Sequence, residues 1–241
     1  MAKWLSVLAA ATFAAAAHGA VADQTAPTVI ELFTSQGCSS CPPADELVGE
    51  LGRRSDIIAL SYNVDYWDYI GWRDTFATAV ATKRQKDYGR AFGQRYVYTP
   101  QLVIAGRSQR VGSDRLAVAM AIDEAKRRSA LDLTVSRSDD GQFRVRIPAG
   151  EGRGDVWLVR FDSEREVAVE GGENAGKTLR YYNVVRDIRR IGEWTGRPLD
   201  IRLAAAELQE GGLDGCAVLV QAPNAGPILG AARIDLSGGD R

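Results

Sequence analysis

Histidine is almost absent from this chain: one residue in 241, His18. Cysteine occurs three times and methionine twice. Neither sign of charge is in excess, with 30 Lys and Arg against 31 Asp and Glu. That balance lacks the basic surplus that marks a nucleic-acid binder. Long apolar runs are missing too. The longest, Trp4 to Ala17, is interrupted by Ser6 and Thr12 and falls short of the roughly 20 residues a membrane span needs. The remaining composition, 45% hydrophobic and 25% charged, is that of a globular chain and excludes a disordered or collagen-like one.

The apolar run is informative in another way. Lys3 precedes it and Ala20-Val21-Ala22 follows it, the pattern of a secretory signal peptide with a small-residue cleavage site. Residues 1–22 are therefore expected to be removed, leaving a periplasmic or secreted protein with no membrane span. Cleavage also removes His18. A mature chain without histidine excludes Ser-His-Asp and Cys-His catalysis, histidine metal sites and histidine pH sensing.

Residues 29–128 alternate between strand and helix patterns. Val29–Phe33 and Ile57–Tyr62 read as short buried strands. Between them a helix is expected from Pro43, with Ala44, Leu47, Val48 and Leu51 on one face and Gly52 as its stop. A second helix is expected near Asp74, with Ala77, Val80, Ala81, Arg84 and Tyr88 on one side. Gln101–Ala105 and Ser108–Val111 form a hairpin about Gly106. Ser113 caps a third helix whose apolar side is Leu116, Ala117, Met120, Ala121 and Ala125. From Ser129 the character changes to short strand-like runs, the clearest being Leu131–Val135, Phe143–Ile147, Asp155–Phe161, Leu179–Ile188 and Cys216–Gln221. The expected fold class is α/β: a domain of alternating strands and helices over 23–129, then a smaller, mostly β domain over 130–241, a sandwich or open barrel.

A thioredoxin-like reading of the first domain rests on where Cys38-Ser39-Ser40-Cys41 lies. It follows a hydrophobic strand and precedes a helix, in a chain whose later strand begins after Thr99-Pro100. In such a domain that proline is cis and faces the cysteines. Thiolates attack disulfides, so Cys38 is the expected attacking thiol and Cys41 the resolving one. A bridge between residues 38 and 41 closes too short a loop to constrain the unfolded chain much, which argues against a purely structural bond; a metal site lacks ligands. The cysteines would be their own redox centre, so no cofactor is needed. Pro42 and Pro43 delay the helix and weaken its help to a thiolate. Glu31 and Asp65 are candidates for tuning the thiols. Thr99, Pro100 and Trp67 are candidates for contacting substrate, a protein or small-molecule thiol or disulfide, with a further redox partner unknown. Cys216, in an apolar strand, reads as a buried inert thiol, or as a third redox partner. The glycine-rich stretch Gly171–Lys177 lacks the spacing of a phosphate loop and reads as a turn or bulge. The alternative to a redox site is a non-catalytic binding module of the cell envelope with a permanent bridge.

Glu31–Asp45, Val64–Asp68, Gly71-Trp72, Tyr98–Gln101 and Gly172-Glu173-Asn174 with Gly176 resemble the signature of a bacterial secreted family known as domain of unknown function 1223. The resemblance implies a thioredoxin-like N-terminal domain and a β-rich C-terminal domain. It implies no substrate.

Overall fold

A computed structural model describes residues 26–236; the expected signal peptide and His18 lie outside them. The chain begins with strand β1 (Thr28–Thr34), helix α1 (Pro42–Gly52) and β2 (Ile57–Asn63). Helix α2 (Ala79–Ala91), β3 (Gln101–Ile104), β4 (Ser108–Val111) and α3 (Arg115–Lys126) follow. The second half carries β5 (Thr134–Arg137), β6 (Phe143–Ile147), β7 (Gly154–Ala168), β8 (Thr178–Trp194), β9 (Leu199–Leu203), the one-turn helix α4 (Ala205–Leu208), β10 (Gly215–Gln221) and β11 (Ile228–Ile234).

Eight strands form one mixed sheet in the order β11-β10-β7-β8-β2-β1-β3-β4. β1 and β2 are parallel, and β3 runs antiparallel to β1. The strands of the second half do not close into a body of their own, as a separate sandwich or barrel would. Four of them extend the first half's sheet, because β8 lies parallel beside β2 at Ser61 and Val184. Without it β2 would present an open edge, with unpaired backbone groups. The other three, β5-β6-β9, make a small second sheet. Val145, Ile147 and Leu203 of this sheet pack against Leu158, Val218 and Val220 of the large one, so a sandwich exists locally but shares one layer with the rest of the molecule.

Alternation along β1 sends its side chains to two cores. Ile30 and Leu32 pack with Leu47 and Val48 of α1 and Val118 and Ile122 of α3. Val29 and Phe33 pack on the other face with Ala81 and Tyr88 of α2. The helix starts differ from expectation. α1 begins at Pro42, with Cys41 as its N-cap in a helical conformation, although a residue before proline normally avoids that region. α2 starts at Ala79, where the Thr78 hydroxyl accepts from Ala81 N, because the Asp74 side chain is occupied elsewhere. Asp114, not Ser113, caps α3. Val80, Leu116 and Met120, expected on buried faces, are exposed; α3 buries only Val118, Ala121 and Ile122.

Candidate functional site

Cys38 and Cys41 form a disulfide between the end of β1 and the start of α1. A short turn places them: Cys38 N donates to Ser35 O and Cys41 N to Cys38 O. Ala44 N and Asp45 N then donate to Cys41 O, beginning the helix. The usual donors at a helix N-terminus are depleted here. Pro42 and Pro43 carry no N–H, and the Ser39 N–H donates to Glu173 Oε2 at 3.0 Å. Hydrogen bonds from the Ser39 hydroxyl and then its N–H hold the exposed Glu173 carboxyl below its ordinary range. The Ser40 Oγ lies 3.4 Å from Cys38 Sγ. The turn thus lacks several of the backbone donors that favour a thiolate at a helix end.

Both cysteines are covered, Cys38 being 1% exposed and Cys41 0%. A segment from far along the chain also holds this turn. β7 and β8 form a long hairpin whose tip, the 3-10 turn Gly172–Asn174, lies on the cysteine turn. Asn174 Nδ2 donates to Gln36 O and to Cys38 O, each at 2.9 Å, and Lys177 Nζ donates to Asn174 Oδ1. The glycines before it are needed for the approach. A Cβ on Gly171 would meet Gly71 O at 2.5 Å, and Gly172 has a left-handed φ of +70°. This stretch is a turn, as expected, and it also joins the two halves at the site.

Trp67 Nε1 donates to Thr99 Oγ1 at 2.8 Å, while Trp67 and Ile70 lie against Gly37. The Thr99-Pro100 peptide bond is cis. Pro100 O accepts from Gly112 N, and a Cβ on Gly112 would come within 2.9 Å of Ala44 and 3.3 Å of Pro100. Thr99, Pro100 and Trp67 are thus gathered beside the first turn of α1. Gln36, not singled out in the sequence, ties the loops together by accepting from Trp72 Nε1 and Thr75 N.

The two tuning candidates are held elsewhere. Glu31 shares the sheet face of Val29 and Phe33, opposite α1. Its carboxylate accepts from Arg84 Nε at 2.6 Å and from the Tyr88 hydroxyl, and Arg84 Nη2 reaches Gln221. Glu31 is therefore the anion of a buried ion pair. Asp65 accepts from the Thr82 hydroxyl at 2.6 Å, fixing its loop to α2. Cys216 is buried on β10, and burial pushes its thiol up to about 11. Buried carboxylates that the sequence did not single out lie nearer the cysteines. Asp74 Oδ2 accepts from Gln36 N and Asn63 Nδ2, and Asp45 follows Cys41 by one helical turn; burial raises both. Among the described residues there is no group of three or more Cys, Asp, Glu or His that could hold a metal ion, and no helix long and apolar enough to cross a membrane.

The fold and site together define a mixed α/β protein whose cysteine turn, at the mouth of its first helix, is capped by its own C-terminal half. The chain belongs to the family described as protein of unknown function DUF1223, whose sequence model matches residues 29–221. It is similar to protein AGR_C_4864 of Agrobacterium tumefaciens, known from an X-ray crystal structure, at 35% identity and a TM-score of 0.79, over 90% of this chain and 97% of that one. It is also similar in fold to HBP35 of Porphyromonas gingivalis, at 13% identity and a TM-score of 0.56, over 90% of this chain and 79% of that one. No curated protein matches it in sequence.

Proposed function

We propose that the chain is an exported thiol–disulfide oxidoreductase, periplasmic or secreted, whose N-terminal half is thioredoxin-like. The observation that carries this reading is the Cys38–Cys41 bond itself, three residues apart with Cys41 as the N-cap of α1. A bridge so short adds little to stability through loop closure, whereas a cysteine pair at a strand-to-helix turn suits thiol exchange. In the reduced protein Cys38 attacks one sulfur of a substrate disulfide and releases the other as a thiolate. Cys41 then attacks Cys38 of the mixed disulfide, releases the second substrate thiol and regenerates the bridge. Two electrons pass to the substrate, and a separate thiol reductant restores the dithiol. Trp67, Thr99 and Pro100 line the approach, where an extended polypeptide or a small thiol would lie.

The burial of both cysteines favours a second reading, a binding module of the cell envelope whose bridge is permanent. Trapping separates the two. In a Cys216→Ser background, reduced Cys41→Ser protein mixed with glutathione disulfide is expected to gain one glutathione on Cys38, seen by intact mass. The Cys38→Ser protein is expected to gain none. Folded protein that gains no adduct in either form would leave the binding module.

A further inference from the structure

Cys41 is 0% exposed, so a proton that it loses or gains has to pass through a neighbouring group. Four elements meet below the cysteine turn and enclose a set of polar side chains. Asp45, 3% exposed, stands one turn along α1 from Cys41. Thr34 at the end of β1, Asn63 at the end of β2, Asp74 in the following loop and Tyr181 of β8 surround it. The Thr34 hydroxyl is placed to hydrogen-bond the Asp45 carboxyl, and among the described residues Asn63 Oδ1 and Tyr181 Oη are buried with no hydrogen-bond partner. Buried polar atoms in native proteins are nearly always satisfied, so a concentration of unsatisfied ones marks a place with work to do. On its other side Asp45 lines a crevice of about 280 Å³, together with Pro42, Glu46, Glu166, Arg180 and Tyr182. It therefore stands between the sealed cysteine and a cleft open to solvent. Side chains on a helix lean toward its N-terminus, which directs the Asp45 carboxyl toward the Cys41 turn.

We infer that Asp45 is the proton donor and acceptor for Cys41, exchanging protons with solvent through the Pro42–Tyr182 crevice. The inference rests on the redox reading above. When a thiolate attacks Cys38 of the bridge, the Cys38–Cys41 bond breaks and Cys41 leaves with the electron pair. Cys41 takes the Asp45 carboxyl proton, and water in the crevice reprotonates the carboxylate. In the resolving direction the Asp45 carboxylate takes the Cys41 proton as Cys41 attacks the mixed disulfide, and the substrate thiolate departs. The charged and titratable groups facing Asp45 set its balance. Burial raises its pKa well above the usual carboxylate range against an opposing hydrogen bond from Thr34, with Asp74 and Glu46 adding to the rise, while Tyr181 faces Asp45 and Asp74 and Arg180, Glu166 and Tyr182 line the crevice.

The test follows both chemical steps in full-length Cys216→Ser protein. Reduced protein is mixed with glutathione disulfide, quenched with acid at intervals, and its glutathione adduct measured by mass. Asp45→Asn is isosteric and cannot exchange the proton, and so keeps the volume of the site while removing its titration. It is expected to form the adduct at the parent rate but to resolve it about 100-fold more slowly, within the 10²–10⁴-fold range of general acid–base catalysis, so that the adduct accumulates. The resolution rate is expected to follow the thiol's own titration in Asp45→Asn and a lower-pH titration in the parent. Asp45→Glu is expected to restore part of the rate. Parent-like resolution in Asp45→Asn, or equal slowing of both steps in Asp45→Asn and Asp45→Glu, overturns the assignment of Asp45 alone. A parent protein whose two thiols persist, with neither adduct nor Cys38–Cys41 bridge formed, overturns the redox reading with it.

Discussion

The Asn174 side-chain amide donates to the Cys38 carbonyl oxygen at 2.9 Å, across 136 positions of sequence. With its companion bond to Gln36 O, it seats the tip of the β7–β8 hairpin on the cysteine turn. Anything that reacts with the bridge has to displace that contact or slip past it. Replacing Asn174 by Ala takes the side-chain donor from the buried Gln36 carbonyl and leaves Cys38 O with Cys41 N alone, a loss of about 1–3 kcal/mol. An opening made easier by about 1.4 kcal/mol raises the open population about tenfold. Asn174→Ala is therefore expected to be less stable and about tenfold or more faster to reduce with dithiothreitol, followed by trapping free thiols in the folded protein. An unchanged reduction rate would show that the tip is not the barrier.

Glu31 and Arg84 form a buried ion pair, with side chains 1% and 9% exposed. Removing one partner strands the other charge, at a cost of about 3–5 kcal/mol. Arg84→Met is expected to lose that much by urea denaturation. The double variant Glu31→Leu, Arg84→Met should recover a large part of it, because no unpaired charge remains. Because Arg84 and Tyr88 hold the Glu31 carboxylate, Glu31→Gln is expected to lower stability while leaving the reduction potential of the bridge unmoved. A shift in potential would return Glu31 to the site.

Legibility in the sequence followed the range of the interactions. The α/β alternation of residues 29–128 was readable because each element carries its own period, as in Ile30 and Leu32 against Leu47 and Val48. The continuation of the sheet was not, because it depends on one long-range meeting, Ser61 beside Val184. β7 and β8 looked like several short strands because the charged stretch Ser163–Glu166 interrupts the apolar pattern and bulges at Val156/Trp157 and Arg160/Phe161 shift it. At the site the cysteines announced themselves by spacing. Asn174 and Glu173 did not, since a polar pair in a glycine-rich turn has no local signature; their one signal was their place in the family's pattern. Asp45 had a readable clue, four positions after Cys41 on a helix, but nothing in the sequence said that this side of the helix is buried.

Asp45 and Asp74 also fix the sign of a pH effect. Burial raises both carboxyl groups in the folded state. A raised pKa contributes stability that is complete below the unfolded value, about 3.9 for Asp, and is lost as pH rises through the folded value. Asp56, lowered by its hydrogen bonds to Arg54 and Lys126, acts oppositely, but its contribution is complete above its unfolded value. Urea unfolding of Asp45→Asn and the parent between pH 5 and 9 should therefore show the variant gaining on the parent as pH rises. A stability difference constant across that range would place Asp45 outside this linkage.

Cys216 should be chemically silent. It is fully buried, its thiol donates weakly to Leu208 O at 3.4 Å, and burial pushes it up to about 11. After mild reduction, iodoacetamide is expected to label Cys38, but Cys216 only in denaturant, as read by peptide mass. Labelling of Cys216 in the folded protein would contradict that placement.

The central claim is that the Cys38–Cys41 bridge exchanges with thiols. Its most direct test is the reduction potential of that pair in a Cys216→Ser background, equilibrated with thiol–disulfide buffers. Known exchangers span about −120 to −270 mV. With Pro42 and Pro43 lacking N–H groups and Glu173 holding the Ser39 N–H, the thiolate is poorly stabilised, and the account predicts a value at the reducing end, near about −270 mV. A value well below about −300 mV, the range of structural disulfides, would contradict it and leave a permanent bridge in a binding module.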